Sequence, residues 1–421
     1  MDLALTDDQR MVREAAQSFL ADASDSASVR AAMASDLGYD EAVWQQIAGE
    51  LGWCAIAIPE AYGGLGLGPV GLVVLMEQMG HQLLCAPFFS TVCLAANWLA
   101  EAGSAAARQR FLPEIAAGRL RATMPVNETA NDWIDQRASL RAFRDGAGWR
   151  LEGVCARVPD VGDAQWLLLP ARIDDEAESS GTGGNGALPR SAVFAVPRDA
   201  AGLVVAPLNT WDATRRWFRV ELRAVKLEAL ARVDDEQRSD VGFVGFVRSA
   251  ALARLYLAAE QLGAAQACLD LSVAYTATRK QFGRTIASFQ AVKHRCAEMM
   301  VRIEALRSAV YGAAAFAAAQ TDARAADGAA SEAHSGVSAH ASPETLALEC
   351  AMARALADDA AFYCAQEAIQ LHGGVGFTWE YDPQLYFKRA QAAHHWFGSA
   401  DALRSRIADG IADGIADGLL A

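Results

Sequence analysis

The helical character of the chain is clearest in residues 252–284, which read LARLYLAAEQLGAAQACLDLSVAYTATRKQFGR. Apolar residues recur there at steps of three, four or seven: Leu252, Leu255, Ala259, Leu262, Leu269 and Val273. This spacing places them on one face of a helix, so the stretch predicts a long helix that buries one side. The pattern stops at Arg279–Arg284, where Gly283 follows Phe282.

Two further runs toward the C-terminus keep the same spacing. The first is Phe289, Val292, Cys296, Met299, Ile303, Leu306 and Val310. The second follows Ser342-Pro343, a good N-cap and first-turn pair, and contains Leu346, Cys350, Ala353, Ala357, Ala360 and Cys364. Several long antiparallel helices with such faces predict a helical bundle.

Two segments near these helices predict little structure. Thr321–Ala341 is polar and rich in glycine, serine and alanine, which indicates a disordered connection between two helices. The Ile-Ala-Asp-Gly repeat that starts at Ile407 is of low complexity, and we expect it to fray.

The first 120 residues also predict helices. Thr6 and Gln9 have the spacing of a capping box, and Asp7 and Asp8 suit the positive end of a helix dipole.

The middle of the chain has a period of two instead. Phe218, Val220 and Leu222 alternate with charged residues, as in a strand with one buried face. Asp145–Gly148 resembles a hairpin turn, and the strands follow one another without helices between them. An antiparallel β-domain is therefore expected.

The order of elements is α, then β, then α, which predicts an α+β multidomain protein. The expected parts are a helical domain over 1–121, a β-domain over 122–232, a helical bundle over 233–406 and a tail over 407–421.

Charge and hydropathy exclude several classes of partner. The chain has 37 Lys and Arg against 51 Asp and Glu, a net charge of −14. Such acidity argues against nucleic acid or an anionic membrane as the main partner. No run of 18 apolar residues and no secretion signal are visible, so we expect a cytoplasmic protein.

Cysteines and histidines give no metal-binding pattern. The eight cysteines form no CxxC pair, and most lie in apolar surroundings, which indicates buried free thiols in a reducing compartment. His394 and His395 are adjacent, so on a helix they diverge by about 100° and cannot share one metal ion. We expect no metal site.

Two segments carry the residues suited to chemistry. One is Arg279–Arg284 with Gln290 after it, and the other is Gln370–Asp382, which contains Gly373, Gly374 and Gly376. An arginine offers charge-assisted hydrogen bonds, and a nearby aromatic ring offers a stacking face. Glycines let a backbone approach a phosphate closely. A lone Arg-x-x-Phe-Gly is a weak signal and glycines at a helix end are often a turn, but together the segments indicate a diphosphate-linked aromatic ligand.

With these segments the chain resembles the acyl-CoA dehydrogenase family of flavoproteins over nearly its whole length, most strongly in 252–302 and 365–389. The resemblance implies a helical N-terminal domain, a central β-domain and a C-terminal four-helix domain. It also implies FAD between two subunits, held in part by the C-terminal domain of the neighbour. Carried over by position, the cofactor contacts are Arg279, Gln281, Phe282, Gln290, Gln370, Gly374 and Ser399.

The family reaction removes the α-proton of an acyl-CoA with a glutamate while the β-hydrogen leaves as hydride to the flavin. Most members carry this glutamate before a glycine, where this chain has Phe397-Gly398. A smaller group carries it before an arginine on the first long C-terminal helix, where this chain has Ala253-Arg254. The usual base is therefore missing from both positions.

The β-domain also departs from the family pattern. The usual Thr-Glu-Pro-x-x-Gly-Ser-Asp stretch is replaced at Val126–Asp132. The Trp-Ile-Thr that flanks the flavin ring becomes Arg157-Val158-Pro159, and proline has no N–H to donate. The departures all fall in the chain's own half of the site, as expected of one subunit in a heteromeric enzyme. Some bacterial members that handle steroid side chains resemble this arrangement.

Substitute bases are open to test. Glu260 lies seven residues from Ala253 on the same helix face, and Asp401 lies one turn beyond Phe397. The alternative interpretation for each of these two residues is a surface carboxylate or a helix-capping carboxylate.

Other polar residues near the second segment have structural interpretations. We expect Glu380 and Asp382 to pair with Lys388 or Arg389, and His372 to be a satisfied interior histidine.

Three functions remain open at this point. The first is an FAD-dependent acyl-CoA dehydrogenase with a relocated base, and the second is a catalytically silent subunit that completes the FAD site of a heteromeric enzyme. The third is a helical assembly protein without flavin. The resemblance implies an acyl-CoA substrate, a homo-oligomer or a hetero-oligomer with a homologous subunit, and an electron-transferring flavoprotein as a fitting acceptor.

Overall fold

A computed structural model describes residues 5–126, 139–174, 191–234, 239–329 and 343–412. The chain splits into two compact units, each built from separate segments. Unit 1 comprises Met1–Ala34, Leu67–Cys85 and Ala251–Ala421, and unit 2 comprises Ser35–Gly66 and Ala86–Ala250.

The helices occupy both ends of the chain, as the sequence predicts. In chain order they are α1 Asp7–Ala23, α2 Ser26–Ala34, α3 Glu41–Gln45, α4 Gly68–His81, α5 Asn97–Ala102, α6 Ala105–Ala116, α7 Ser239–Thr278, α8 Gln290–Ala329, α9 Pro343–His372, α10 Pro383–Ala393 and α11 Ala400–Ala412. π-Helical turns at Gln46–Glu50 and Phe89–Ala96 extend α3 and precede α5. None of the helices within the described residues is long and apolar enough to cross a lipid bilayer.

Helix α1 begins with the expected capping box. The backbone N–H of Gln9 donates to Thr6 Oγ1 at 3.3 Å, and the backbone N–H of Thr6 donates to Gln9 Oε1 at 3.0 Å. Two backbone donors at the helix start are therefore satisfied without solvent.

In unit 1, α8 and α9 pack along one another, and α10 and α11 also lie against α9. The apolar face predicted for α9 is buried throughout, and so is that of α8 from Met299 to Val310. On α7 the face is buried except at Val273, which is exposed.

Two boundaries of this bundle differ from the sequence-based expectation. Helix α8 continues to Ala329, so the disordered connection expected from Thr321 is wrong for residues 321–329. Helix α11 continues to Ala412, so the fraying expected from Ile407 is wrong for residues 407–412. The alanine-rich composition of both segments favours helix. The rest of each predicted segment lies outside the described residues.

Helices α4 and α7 cross at very short range. A Cβ atom at Gly80 would lie 1.9 Å from the carbonyl oxygen of Glu260, and one at Gly263 would lie 1.8 Å from that of Glu77. Only glycine fits at these positions, because any side chain would overlap the backbone of the facing helix.

Unit 2 contains a seven-stranded sheet in the order β1-β4-β2-β3-β7-β6, with β5 on β4. The strands are β1 Ala122–Thr123, β2 Leu140–Asp145, β3 Gly148–Pro159, β4 Trp166–Ile173, β5 Ser191–Pro197, β6 Leu203–Leu208 and β7 Trp217–Leu227. The Asp145–Gly148 hairpin is confirmed, and Val220 and Leu222 are buried as predicted.

The expected antiparallel sheet is confirmed, with two short parallel contacts within it. The long pairings are antiparallel, but β4 also pairs in parallel with β1 and with β2, over two residue pairs each. Strands β1 and β2 lie along the same edge of β4, β1 at the start of β4 and β2 at its end, so each parallel contact is short.

The eight cysteines are free thiols, and all except the half-buried Cys296 are buried. Burial raises the pKa of Cys54 and Cys155 to about 12, so both stay protonated at neutral pH.

Candidate functional site

The Arg279–Arg284 segment forms a two-stranded hairpin between α7 and α8. Its strands are β8 Lys280–Gln281 and β9 Arg284–Thr285, and its loop is Phe282-Gly283. Phe282 and Gly283 have φ values of 50° and 77°, and two positive values in a two-residue loop match a type I′ turn. A phenylalanine is unfavourable in this conformation. The turn nevertheless leaves the Phe282 ring 90% exposed.

Side chains around the hairpin hold it in place and leave its polar groups open. The ring of Phe282 meets that of Phe289 edge to face at 6.1 Å, and the guanidinium of Arg284 lies 4.0 Å from the Phe289 ring centroid. Arg279 is fixed through its backbone, which bonds Tyr275 and Ile286 at 2.9 Å each. Its guanidinium, like the amides of Gln281 and Gln290, is exposed and makes no hydrogen bond within the described residues.

The second segment leaves its backbone open at the end of α9. Gly373 has a φ of +65°, and a Cβ atom at Gly373 or Gly374 would meet nothing within 4 Å. A ligand can therefore approach this backbone closely. Gln370, one turn earlier, is exposed. Gly376 differs, because a Cβ atom there would lie 2.6 Å from the carbonyl oxygen of Ile369.

Aromatic rings bring the two segments together. His372 stacks on Tyr275, with ring centroids 4.3 Å apart and an interplanar angle of 20°. Tyr381 meets both rings edge to face, at 6.0 Å from Tyr275 and 5.9 Å from His372. On the other side, Arg295 and Glu367 form an ion pair of 2.5 Å between α8 and α9. We define the cofactor surface as residues 275–290 together with 370–381.

His372 is a satisfied interior histidine, as expected. It is 6% exposed, and its Nδ1 donates to the carbonyl oxygen of Ala368 at 2.7 Å. Burial lowers the pKa of His372, and the bond to Ala368 opposes this only in part. Sequence reasoning missed Tyr275 and Tyr381, although Tyr275 lies one helical turn before Arg279.

Other predicted contacts in this region have different partners. Asp382 pairs with Arg30 of α2 at 2.5 Å, and Arg389 pairs with Glu260 of α7 at 2.8 Å. The expected pairing of Asp382 with Lys388 or Arg389 is therefore wrong, because the helices that contact this segment supply other charges. Lys388 instead lies 5.8 Å from the ring centroid of Trp379.

Ser399 acts as a cap in this chain. Its Oγ accepts the backbone N–H of Ala402 at 3.3 Å, at the start of α11.

The two positions where the family keeps its base lie side by side. Phe397 is 7% exposed and has a φ of 59°, followed by Gly398 at 99°. Arg254 Nε donates to the carbonyl oxygen of Phe397 at 3.3 Å, and Ala253 directly precedes Arg254. Both base positions are thus apolar and buried.

Buried arginines hold the backbone around Phe397. Arg354 Nη2 donates to the carbonyl oxygens of Ala393 at 2.6 Å and of Trp396 at 3.5 Å. We call residues 393–398 the Phe397 turn. Burial, aided by Arg406 and Arg354, lowers the pKa of Arg254 to about 9, so Arg254 is still cationic at neutral pH.

The two substitute bases are both paired. Glu260 and Arg389 form a buried ion pair, each side chain 4% exposed. Asp401 is 95% exposed and pairs with Arg404 at 3.1 Å on α11. These pairings favour a structural role for Glu260 and a surface role for Asp401.

The β-domain residues give a mixed fit to FAD. Pro159 ends β3, and its carbonyl oxygen accepts from Thr123 Oγ1 at 2.6 Å. It offers no N–H to a flavin ring. Asn127–Asp132 lie outside the described residues. The cofactor surface of unit 1 does fit a diphosphate and an adenine, through its open glycine backbone, the exposed Phe282 ring and the Arg279 guanidinium, which makes no hydrogen bond in the part of the chain that the structure describes.

Comparison with known proteins gives two matching family models and relatives over most of the chain. The family model for the N-terminal domain of acyl-CoA dehydrogenase matches residues 6–119, and that for its C-terminal domain matches residues 240–412. The acyl-CoA dehydrogenase IpdE2 of Mycobacterium tuberculosis is 32% identical over 399 residues, which cover 95% of this chain and 94% of that protein.

Two solved structures share the fold. The ChsE4-ChsE5 complex from Mycobacterium tuberculosis is 25% identical, with a TM-score of 0.79 over 98% of this chain and 99% of that chain. An acyl-CoA dehydrogenase complexed with FAD from Bacillus anthracis has a TM-score of 0.82 over 98% of this chain and 68% of that chain, and at 17% identity it shows the fold alone.

These matches confirm the resemblance and the fold class, and they support FAD as the cofactor. The two family models together match more than half of the chain, at its two helical ends. The chain belongs to the acyl-CoA dehydrogenase family.

Proposed function

We propose that the chain is the silent subunit of a heteromeric acyl-CoA dehydrogenase, which gives the adenosine and diphosphate half of an FAD site to a homologous subunit that carries the base. The observation that carries this proposal is a contrast within unit 1. Among the assigned cofactor contacts, the side chains of Arg279, Gln281, Gln290 and Gln370 are exposed and make no hydrogen bond within the described residues, whereas both base positions, Phe397 and Ala253, are buried and apolar.

The reaction explains why the missing base matters. The α-proton of a thioester is a poor acid, so its removal needs a positioned carboxylate and hydrogen bonds to the developing enolate. Bound FAD supplies the acceptor for the β-hydride. Within the described residues, the carboxylate that contacts the Phe397 turn is Asp358, and it is paired with Arg354 and His394. Pro159 lacks the N–H that the family places at the flavin ring.

The exposed contacts explain the need for a neighbour. Arg279, Phe282 and Gly374 are exposed to solvent, and nothing lies within 4 Å of a Cβ atom placed at Gly374. A second subunit laid over them would enclose the cofactor. The ChsE4-ChsE5 complex, which shares the fold, contains two different chains. This supports a homologous partner. Membership of the acyl-CoA dehydrogenase family supports an acyl-CoA substrate for the assembly, and an electron-transferring flavoprotein is the acceptor that fits the family.

An active dehydrogenase with a relocated base is the second candidate. It would need Glu260 or Asp401 to leave its arginine partner, and for Glu260 this would leave the buried guanidinium of Arg389 without that carboxylate. A helical assembly protein without flavin is disfavoured, because it has no use for Arg279, Phe282, Gln290, Gln370 and Gly374.

Turnover by the purified chain distinguishes the candidates. We expect no dye-coupled dehydrogenation of short, long or steroid-type acyl-CoAs by the chain alone, since loss of a general base costs about 10²–10⁴ in rate. Turnover should appear after co-expression with a homologue that carries the glutamate. Turnover by the chain alone that Glu260→Gln or Asp401→Asn abolishes would establish a relocated base and reject the silent subunit.

The donated half of the FAD site has its own test. In the co-expressed complex, Arg279→Ala should weaken FAD retention about tenfold or more, since a hydrogen bond to a charged group contributes about 1.5–3 kcal/mol. Lys280→Ala removes an exposed cation from the adjacent position and is the matched control, expected to retain FAD. Unchanged flavin content in Arg279→Ala would reject the assigned contact.

A further inference from the structure

We propose that His372 is a positioning residue for the cofactor surface: stacked on Tyr275 and met by Tyr381, it holds the Gly373-Gly374 backbone in register with Arg279. This inference rests on the proposed function, because the two parts that it holds together are the parts assigned to FAD.

His372 lies next to the glycine loop in the chain, so a small displacement of its backbone would also displace the loop. It is the last residue of α9, and Gly373, with its φ of +65°, follows directly. A hydrogen bond holds the orientation of the imidazole, because its Nδ1 donates to the carbonyl oxygen of Ala368, one helical turn earlier, at 2.7 Å. A displacement of His372 would therefore also displace Gly373, because the two residues share a peptide bond.

The ring stack reaches the hairpin through Tyr275. Tyr275 lies in the last turn of α7, and its carbonyl oxygen accepts the backbone N–H of Arg279 at 2.9 Å. The stack of Tyr275 on His372, at 4.3 Å, is the direct ring contact between the end of α7 and the end of α9. Aromatic pairs of this kind stabilise by about 0.5–1.5 kcal/mol beyond area burial.

Tyr381 anchors the stack on its other side. Its carbonyl oxygen accepts from Arg30 Nη2 at 3.2 Å, and Arg30 also pairs with Asp382. The His372 ring thus contacts the side chains of Tyr275 and Tyr381. The backbone of each accepts a hydrogen bond, Tyr275 from Arg279 and Tyr381 from Arg30 of α2. This is the arrangement expected of a spacer that sets the distance between two binding segments.

A charge on His372 would disturb this arrangement. The groups that face it are Tyr275 from α7, Tyr381 from the segment before α10, and the Ala368 carbonyl of its own helix. The charged residues nearest along these elements are Arg279 after Tyr275, and Glu380 and Asp382 beside Tyr381, with Arg30 of α2 on Asp382. None of these four contributes to the shift in the pKa of His372, which arises from burial and the Ala368 bond.

The sign of the pH effect follows from burial. The pKa of His372 is lowered in the folded chain from an ordinary value of 6.5, so the ordered arrangement disfavours the proton. Its stabilisation is complete above about pH 6.5 and is lost as the pH falls from there through the folded-state pKa. FAD retention that depends on the stack should decline over the same range.

The test measures FAD bound per complex, after gel filtration between about pH 5.5 and 8, for this chain co-expressed with a glutamate-bearing homologue. His372→Ala removes the ring and should weaken retention about fivefold at the upper pH. His372→Phe keeps a ring without a titratable group, so it should retain FAD at the upper pH and lose the decline at the lower pH. A ring that served only the fold would leave the pH profile of His372→Phe equal to that of the wild type.

Arg279→Ala separates failure of this inference from failure of the proposed function. Loss of FAD in Arg279→Ala with full retention in His372→Ala would overturn the positioning role alone. A decline with pH that is the same in His372→Phe and in the wild type would also overturn it. If the wild-type complex held no FAD, or Arg279→Ala retained it fully, both proposals would fall. If His372→Ala did not assemble, the pH profile of His372→Phe would decide.

Discussion

The cofactor surface and the Phe397 turn share an unusual backbone conformation, but its side chain is exposed in the first and buried in the second. Phe282 in the first and Phe397 in the second are both non-glycine residues with positive φ, at 50° and 59°. The Phe282 ring is turned out to solvent, whereas the Phe397 ring is buried. An unfavourable conformation at both positions shows that local backbone preference does not decide where a side chain goes; the surrounding contacts do.

The two regions also treat their polar groups differently. At the cofactor surface, the Arg279 guanidinium and the Gly374 backbone face open space. At the Phe397 turn, buried Arg254 and Arg354 occupy the carbonyl oxygens. A surface kept open is suited to a ligand from outside the chain, and a turn held by buried arginines is suited to stability.

The largest effect is expected from the buried ion pair between Glu260 of α7 and Arg389 of α10. Glu260→Ala leaves the guanidinium of Arg389 buried without this carboxylate, which should lower the free energy of unfolding by about 3–5 kcal/mol in a urea titration. The double variant Glu260→Met with Arg389→Met removes both charges and should recover most of the loss. If Glu260→Ala instead left the free energy of unfolding unchanged and abolished an activity that the wild type possesses, Glu260 would have a chemical role and not a structural one.

A smaller effect of mixed sign is expected at the hairpin. Phe282→Asn relieves the left-handed strain, which is roughly 1–2 kcal/mol, so thermal stability should rise slightly. FAD retention should fall about fivefold or more, because a stacked base contributes about 1–3 kcal/mol. Phe377→Asn, at another exposed ring of the cofactor surface, is the control and should keep the stability of the wild type. A fall in stability in Phe282→Asn would show that the strain has been compensated by packing.

The smallest effect is expected from returning a carboxylate to the Phe397 turn. Phe397→Glu places the charge beside Arg254, which keeps a carboxylate ionised and paired, and Pro159 still lacks an N–H for a flavin ring. Dye-coupled turnover by the variant alone should therefore stay at background. A gain of about 10²–10⁴ would show that the base was the only part missing.

The sequence predicted features that depend on near neighbours along the chain. The capping box of Thr6 and Gln9, the buried face of α9 and the Asp145–Gly148 hairpin all follow from local spacing, and all are present. The type of these three features was therefore accessible without a structure.

Partners far apart in the chain were not predictable in the same way. Asp382 and Arg389 were expected to pair with nearby residues, but they pair with Arg30 and Glu260. The stack of Tyr275 on His372 likewise joins residues almost 100 positions apart. Such contacts are set by how helices cross, which no periodicity of one helix reports.

The segments of unit 1 are separated in the sequence by those of unit 2, and this determines which parts of the chain are synthesised first. Helices α1, α2 and α4 are synthesised before residues 86–250, yet Gly80 and Gly263 fit α4 against α7. At about 5–20 residues per second, the N-terminal helices wait roughly 10–30 s for their partner helix. Unit 2 lies entirely before residue 251, so its chain is complete first. The apolar face of α4 must stay free of wrong partners during that interval, which makes nascent chains that stop before α7 the forms most prone to aggregate.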